Sequence, residues 1–220
     1  MKRLLFASPL FFALTLATVP ADAGVGFGAD VVNRYVWRGT DFGNAVSVQP
    51  GMSISSGNIE VGAWSSWAIS GGGANENDLY VSFSSGPVGI TLTDYYFPTQ
   101  DFDEVKTDDA FFSYSDEDGV HWLEISASLA PDGVPLSALV AYNVSGDADD
   151  SFWAEATYDL GEMEETAVSV TAGFGNGAYT TDADPALVSV GLNMSKGDYF
   201  ASYILNPDRE TTFLVFGRSF

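Results

Sequence analysis

The chain has 220 residues, with 30 Asp and Glu against 8 Lys and Arg, for a formal charge of −22 at pH 7. That balance excludes nucleic acid as a partner and argues against anionic lipid surfaces; it leaves cations open, and its plainest service is to keep an exported protein dispersed. With no cysteine, neither a disulfide framework nor thiolate chemistry is available, so stability must come from the sheet itself.

Lys2 and Arg3 precede an apolar stretch from Leu4 to Val19, and Ala21-Asp22-Ala23 supplies a small-x-small cleavage pattern. Residues 1–23 are therefore expected to be a removable secretory signal, followed by one domain over 24–220. No later segment approaches the ~18 consecutive apolar residues of a membrane-crossing helix.

From Val25 onward the hydrophobic period is two. Val25, Phe27, Ala29, Val31, Tyr35 and Trp37 share one face of a predicted first strand, and Gly26, Gly28, Asp30, Arg34 and Arg38 share the other. Strands are predicted over 25–38, 44–55, 58–68, 77–85, 88–97, 120–130, 135–144, 151–160, 166–174, 186–195, 198–206 and 211–220. Each has a greasy face and a small or polar face. Connections alternate between tight turns rich in Gly, Pro, Asn and Asp, such as Ser56-Gly57-Asn58 and Lys196-Gly197, and longer acidic loops, such as 98–119 and 175–184. Pro50-Gly51 marks a bulge or an outward edge in the second strand.

Alternation alone suits a soluble sandwich and a membrane barrel equally. Aromatic residues gathered near strand ends suit two interfacial girdles, and an even strand number puts both termini on the short-turn side. The expected fold is all-β: a single antiparallel up-and-down transmembrane β-barrel of about twelve strands, lodged in the outer membrane. Phe216 and Phe220 lie on one face of the last strand. A terminal aromatic strand of this kind is what barrel-assembly machinery is expected to recognise by strand addition.

Several stretches resemble the TorF-type porins: Asn33-Arg34-Tyr35-Val36-Trp37-Arg38-Gly39, Val48-Gln49, Val61-Gly62-Ala63-Trp64, Asp94-Tyr95-Tyr96-Phe97-Pro98 and the ending Phe216-Gly217-Arg218-Ser219-Phe220. The resemblance spans most of the chain after residue 23 and implies a porin-type outer-membrane barrel, with no particular solute. Thr40-Asp41 stands where such proteins more often carry Ile-Ser.

Asp30, Arg34 and Arg38, spaced by four, belong inside the barrel, because charges facing lipid cost several kcal/mol, on the order of 2 to 4 at the midplane. Glu60, Asp78, Glu124 and Glu155 on other polar faces are candidates to pair with them across the lumen, and Trp64 shares the Glu60 face. These residues form either a structural ion network or a constriction that binds solute, and the two roles are compatible. No catalytic residue emerges: His121, the sole histidine, lacks a nucleophile motif. No metal site or cofactor is expected either, since the acidic run from Asp101 departs from the EF-hand pattern at Lys106. The expected function is an outer-membrane channel for passive diffusion of small solutes, preferring cations, with lipid and the assembly machinery as partners. A closed adhesive barrel with acidic external loops and a soluble periplasmic β-protein are the rival readings.

Overall fold

The computed structural model describes residues 24–70, 73–98, 111, 112, 114 and 120–220. The expected signal over 1–23 and the acidic run from Asp101 to Asp109 lie outside the described residues. The strands are β1 (Gly24–Val32), β2 (Val36–Trp37), β3 (Thr40–Asp41), β4 (Ser47–Ser56), β5 (Ile59–Ala68), β6 (Glu76–Ser85), β7 (Val88–Tyr96), β8 (His121–Leu129), β9 (Leu136–Ser145), β10 (Phe152–Met163), β11 (Thr166–Gly177), β12 (Ala183–Lys196), β13 (Tyr199–Asn206) and β14 (Thr211–Ser219). All but β2 and β3 form one closed antiparallel barrel of twelve strands, each beside its chain neighbour, with β14 returning to β1.

Period-two patterning becomes sidedness. Phe27, Ile54, Leu79, Leu92, Leu214 and Phe216 stand on the outside and are exposed, while Gln49, Asp78, Glu124, Asn193 and Ser202 are buried within. A soluble sandwich would bury the apolar faces between two sheets; here the same faces coat the outside of a single closed wall. Small residues on the inner face make room for large ones. Gly62 lies under the Tyr80 ring, Gly173 under Trp153 and Gly217 under Phe200, so a Cβ at any of them would collide with the ring. Pro50 causes no bulge. β4 keeps one register with β5, and the proline leaves only a local gap in pairing between Val48↔Trp67 and Gly51↔Trp64, while the β1 side runs unbroken through Ala29↔Pro50.

The first strand is shorter than its alternation suggests. It leaves the wall after Val32, because Arg38 (φ 49°) and Gly39 (φ 75°) close a two-residue hairpin that pairs Val36↔Asp41 and Trp37↔Thr40. Two consecutive positive φ angles are what a tight β-hairpin turn demands. The hairpin around residues 35–40 therefore folds inward, and Arg34 and Arg38 are not on the β1 face.

This departure shapes the barrel seam. β1 pairs with β4 along its whole length but with β14 through Asp30↔Ser219, Val31↔Arg218 and Val32↔Gly217, lengthened at one end by the mutual backbone bonds of Ala29 and Phe220. Asn33 extends the seam by one residue. Its side-chain nitrogen donates to Leu214 O at 3.1 Å, its side-chain oxygen accepts from Phe216 N at 2.7 Å, and its own backbone N–H donates to Phe216 O at 3.0 Å. An amide side chain thus imitates the backbone ladder where the strand has departed. Asn33→Leu removes two of these bonds and is expected to lower stability by about 1 kcal/mol or somewhat more. Urea titration of the detergent-refolded barrel should show an earlier midpoint; an unchanged midpoint would remove Asn33 from the closure.

Candidate lumenal site

Residues 35–38 cross the lumen and touch the wall on several sides. Val36 packs with Val32, Phe200, Ile204 and Val215 of β1, β13 and β14. Trp37 packs on the cluster of Ala141, Trp153, Tyr179 and Val188. Tyr35 donates its hydroxyl to Glu76 Oε2 at 2.9 Å and lies 5.7 Å from the Trp64 ring. Asn206 donates to Gly39 O at 2.9 Å and ties down the hairpin turn. Burial, with Glu76 adding to it, pushes the Tyr35 phenol well above its ordinary value, so the hydroxyl remains a donor.

Arg38 is the anchor. Its guanidinium is bidentate to Glu124, with Nη1 at 2.5 Å from Oε2 and Nη2 at 3.0 Å from Oε1. The two side chains keep only 6% and 3% of their accessibility. Nη1 also donates to the Tyr179 hydroxyl, Tyr95 donates to Glu124 Oε1 at 3.1 Å, and the guanidinium sits 4.3 Å from the Trp37 ring centroid and 5.5 Å from that of Trp153. Burial works against the charge on Arg38, yet Tyr179 and Glu124 beside it outweigh that and hold it charged. Planar bidentate pairing and ring stacking together are chemistry that lysine cannot supply.

Below the hairpin a cavity of about 580 Å³ reaches to the β8–β9 turn. Asp30, Arg34, Arg38, Trp64, Asp78, Glu124 and Glu155 all border it, so the structure gathers these predicted residues around one space. Glu60 is apart from that lining, accepting from Tyr80 at 3.0 Å and from Ser53 at 3.4 Å. Between the hairpin and the β11–β13 wall only about 20 Å³ remains, room for about one water. The expected pairing of arginines with lumenal carboxylates holds for Arg38 alone. Arg34 turns to Asp41 at 3.6 Å and to Asn44, both in its own loop, and lies over the Phe213 ring at 5.6 Å.

Sequence reasoning missed Tyr35, Glu76 and Tyr179. Tyr35 and Trp37 were expected to face lipid as a continuation of the β1 alternation, and the hairpin places them in the lumen instead. Glu76 stands two residues before Asp78 on the same strand face, a spacing visible in the sequence. His121 is buried outside this site. Its Nδ1 lies 2.8 Å from Asp94 Oδ1 and its Nε2 2.6 Å from Phe111 O, with Tyr96 and Tyr114 stacked on the ring at 4.7 and 4.3 Å. Both ring nitrogens are thus engaged. Phe216 and Phe220 are exposed on the outer face, and Arg218 reaches over the Phe220 ring at 4.7 Å and toward Asp198 at 3.6 Å.

Comparison of the chain with protein-family models, curated proteins and solved structures found no match.

Removing one partner of a buried ion pair strands the other, which costs about 3 to 5 kcal/mol. Arg38→Ala is therefore expected to destabilise the refolded barrel by that amount, Arg38→Lys to recover little of it, and Arg38→Ala with Glu124→Gln to be milder than Arg38→Ala alone. Denaturant midpoints of these three variants and of Glu124→Gln alone test this; a double variant as unstable as the sum of the two single ones would mean the pair is uncoupled.

Proposed function

We propose that this chain is an outer-membrane channel of low conductance for small solutes, preferring cations, with the inward hairpin as its constriction. One observation carries the reading: the cavity beneath the hairpin is bordered by Asp30, Glu76, Asp78, Glu124, Asp132, Glu155 and Asp159, against only Arg34 and Arg38. Arg38 is already spent on Glu124. A narrow space with low-dielectric walls and surplus carboxylates focuses a negative potential that concentrates cations and repels anions.

Support for the membrane location comes from the apolar exterior of the closed wall, since in hydrocarbon only closed barrels and helices satisfy their backbone. The resemblance to TorF-type porins and the leader-like start point the same way. In this reading lipid covers the outer face, and Phe216 and Phe220 present the last strand to the assembly machinery. The packing of the hairpin favours a second reading, a closed barrel whose acidic loops bind cations or surfaces, because its contacts reach β1, β6, β8 and β12–β14.

Planar-bilayer recording separates the two. A small conductance is expected, with reversal potentials in a KCl gradient favouring K⁺. The preference should shrink from 0.01 M to 1 M salt, as the screening length falls from about 30 Å to about 3 Å. Replacing residues 35–42 by a short Gly-Ser linker should raise conductance several-fold. Anion preference in dilute salt would contradict the proposal; a silent wild type whose linker variant conducts would establish the closed barrel.

A further inference from the structure

We infer that the lumen contains a binding site for a small organic cation, with an ammonium group seated on Asp78 inside a box of aromatic rings. The inference rests on the cation-preferring reading of the lumen and narrows it to a chemical class.

Sheet register builds the box. Trp64 lies opposite Asp78 on β5 and Tyr95 lies opposite it on β7, so the carboxylate stands between an indole and a phenol in one row across three strands. The hairpin supplies two more rings, Tyr35 at 5.7 Å from Trp64 and Trp37 at 5.3 Å from Tyr95. Tyr80 follows Asp78 by two on the same strand face, held through its hydroxyl by Glu60 at 3.0 Å.

Asp78 borders the cavity, yet it is buried, and its Oδ1 receives no hydrogen bond. A buried carboxylate oxygen without a donor is costly until something supplies one, or a positive charge. Among the described residues no uncommitted positive charge borders it. Glu76, the neighbour in contact, is itself a carboxyl group; the two can share a proton, but Glu76 brings no positive charge. Arg38 is engaged by Glu124, and Arg34 by Asp41 and Asn44.

The rings decide which cation fits. Among the described residues no group of three ligating His, Asp or Glu side chains converges as a metal would require. Aromatic faces instead attract cations that carry their charge on methyl or methylene groups and surrender water cheaply. At about 580 Å³ the cavity is of a size usual for small-molecule sites, roughly 300 to 1,000 Å³. It therefore takes a molecule with a body beyond its ammonium head.

Choline and its neutral carbon isostere 3,3-dimethyl-1-butanol are the probes, titrated into the detergent-refolded barrel with calorimetry and tryptophan fluorescence as readouts. Choline is expected to bind saturably and to change the fluorescence, with the isostere at least about tenfold weaker. Asp78→Asn should weaken choline by about tenfold or more, and Tyr95→Leu several-fold, while Asp184→Asn, on the exposed rim, should leave it unchanged. Assembly of each variant is checked by its heat-dependent migration on a gel; if Asp78→Asn does not assemble, Trp64→Leu and Tyr95→Leu carry the comparison. Equal affinity for choline and the isostere would overturn the proposal, leaving a merely apolar pocket. Undiminished choline binding by Asp78→Asn, or displacement of choline by sodium at equal concentration, would overturn it too. Binding is read without conduction, so a barrel that binds choline but stays silent in a bilayer refutes the channel and keeps the site. A conducting barrel indifferent to Asp78→Asn does the reverse.

Discussion

Every backbone donor and acceptor along an open sheet edge must find a partner, and closure of the wall is how this chain meets that demand. The weakest stretch of the closure is the meeting of β1 and β14, three residue pairs against the full-length pairing of β1 with β4. Departure of the chain at Val32 both shortens that seam and delivers the hairpin of residues 35–40 to the interior. Asn33 handles the first effect with its side-chain amide. The second creates the site: without the inward turn, neither Tyr35 nor Arg38 would meet Glu76 or Glu124.

A twelve-stranded wall leaves more interior than its own inner side chains fill, and the hairpin supplies what amounts to a miniature core. Val36 and Trp37 each complete a separate apolar cluster, one toward β13 and β14, the other toward β9, β10 and β12. Arg38 lies between them with its charge fully paired. A buried ion pair contributes little net stability compared with a well-packed apolar substitute, but it penalises every arrangement that separates the partners. Its effect here is to fix where the hairpin rests, and hence which carboxylates remain uncompensated below it.

Most of the wall could be read from the amino-acid order, because a lone strand face is either lumenal or outward and a shift of one residue reverses it. That is why Glu124, Asp78, Phe216 and Phe220 stand on the faces assigned to them. The same rule misplaced Tyr35 and Trp37. Alternation reports only that aromatic side chains recur every second residue; it is blind to whether lipid or a plugged lumen receives them. The informative signal was Arg38-Gly39, a dipeptide that turns a strand back when both residues take positive φ, though arginine is an unusual first residue there. The empty acceptor on Asp78 was beyond reach from sequence, since it depends on which carboxylate Arg38 selects.

Enclosure of the hairpin has a consequence for how the molecule comes to exist. Residues 33–46 sit between β1 and β4 in the chain, yet their contacts are made with strands as late as β13 and β14. Contacts of such long sequence separation form late, after the loop-closure entropy has been met. This segment therefore cannot complete its native surroundings until the last strand is synthesised and docked. Seating of the segment and closing of the wall therefore finish together, so an assembly intermediate halted before β14 docks lacks the Val215 and Leu214 contacts that complete it.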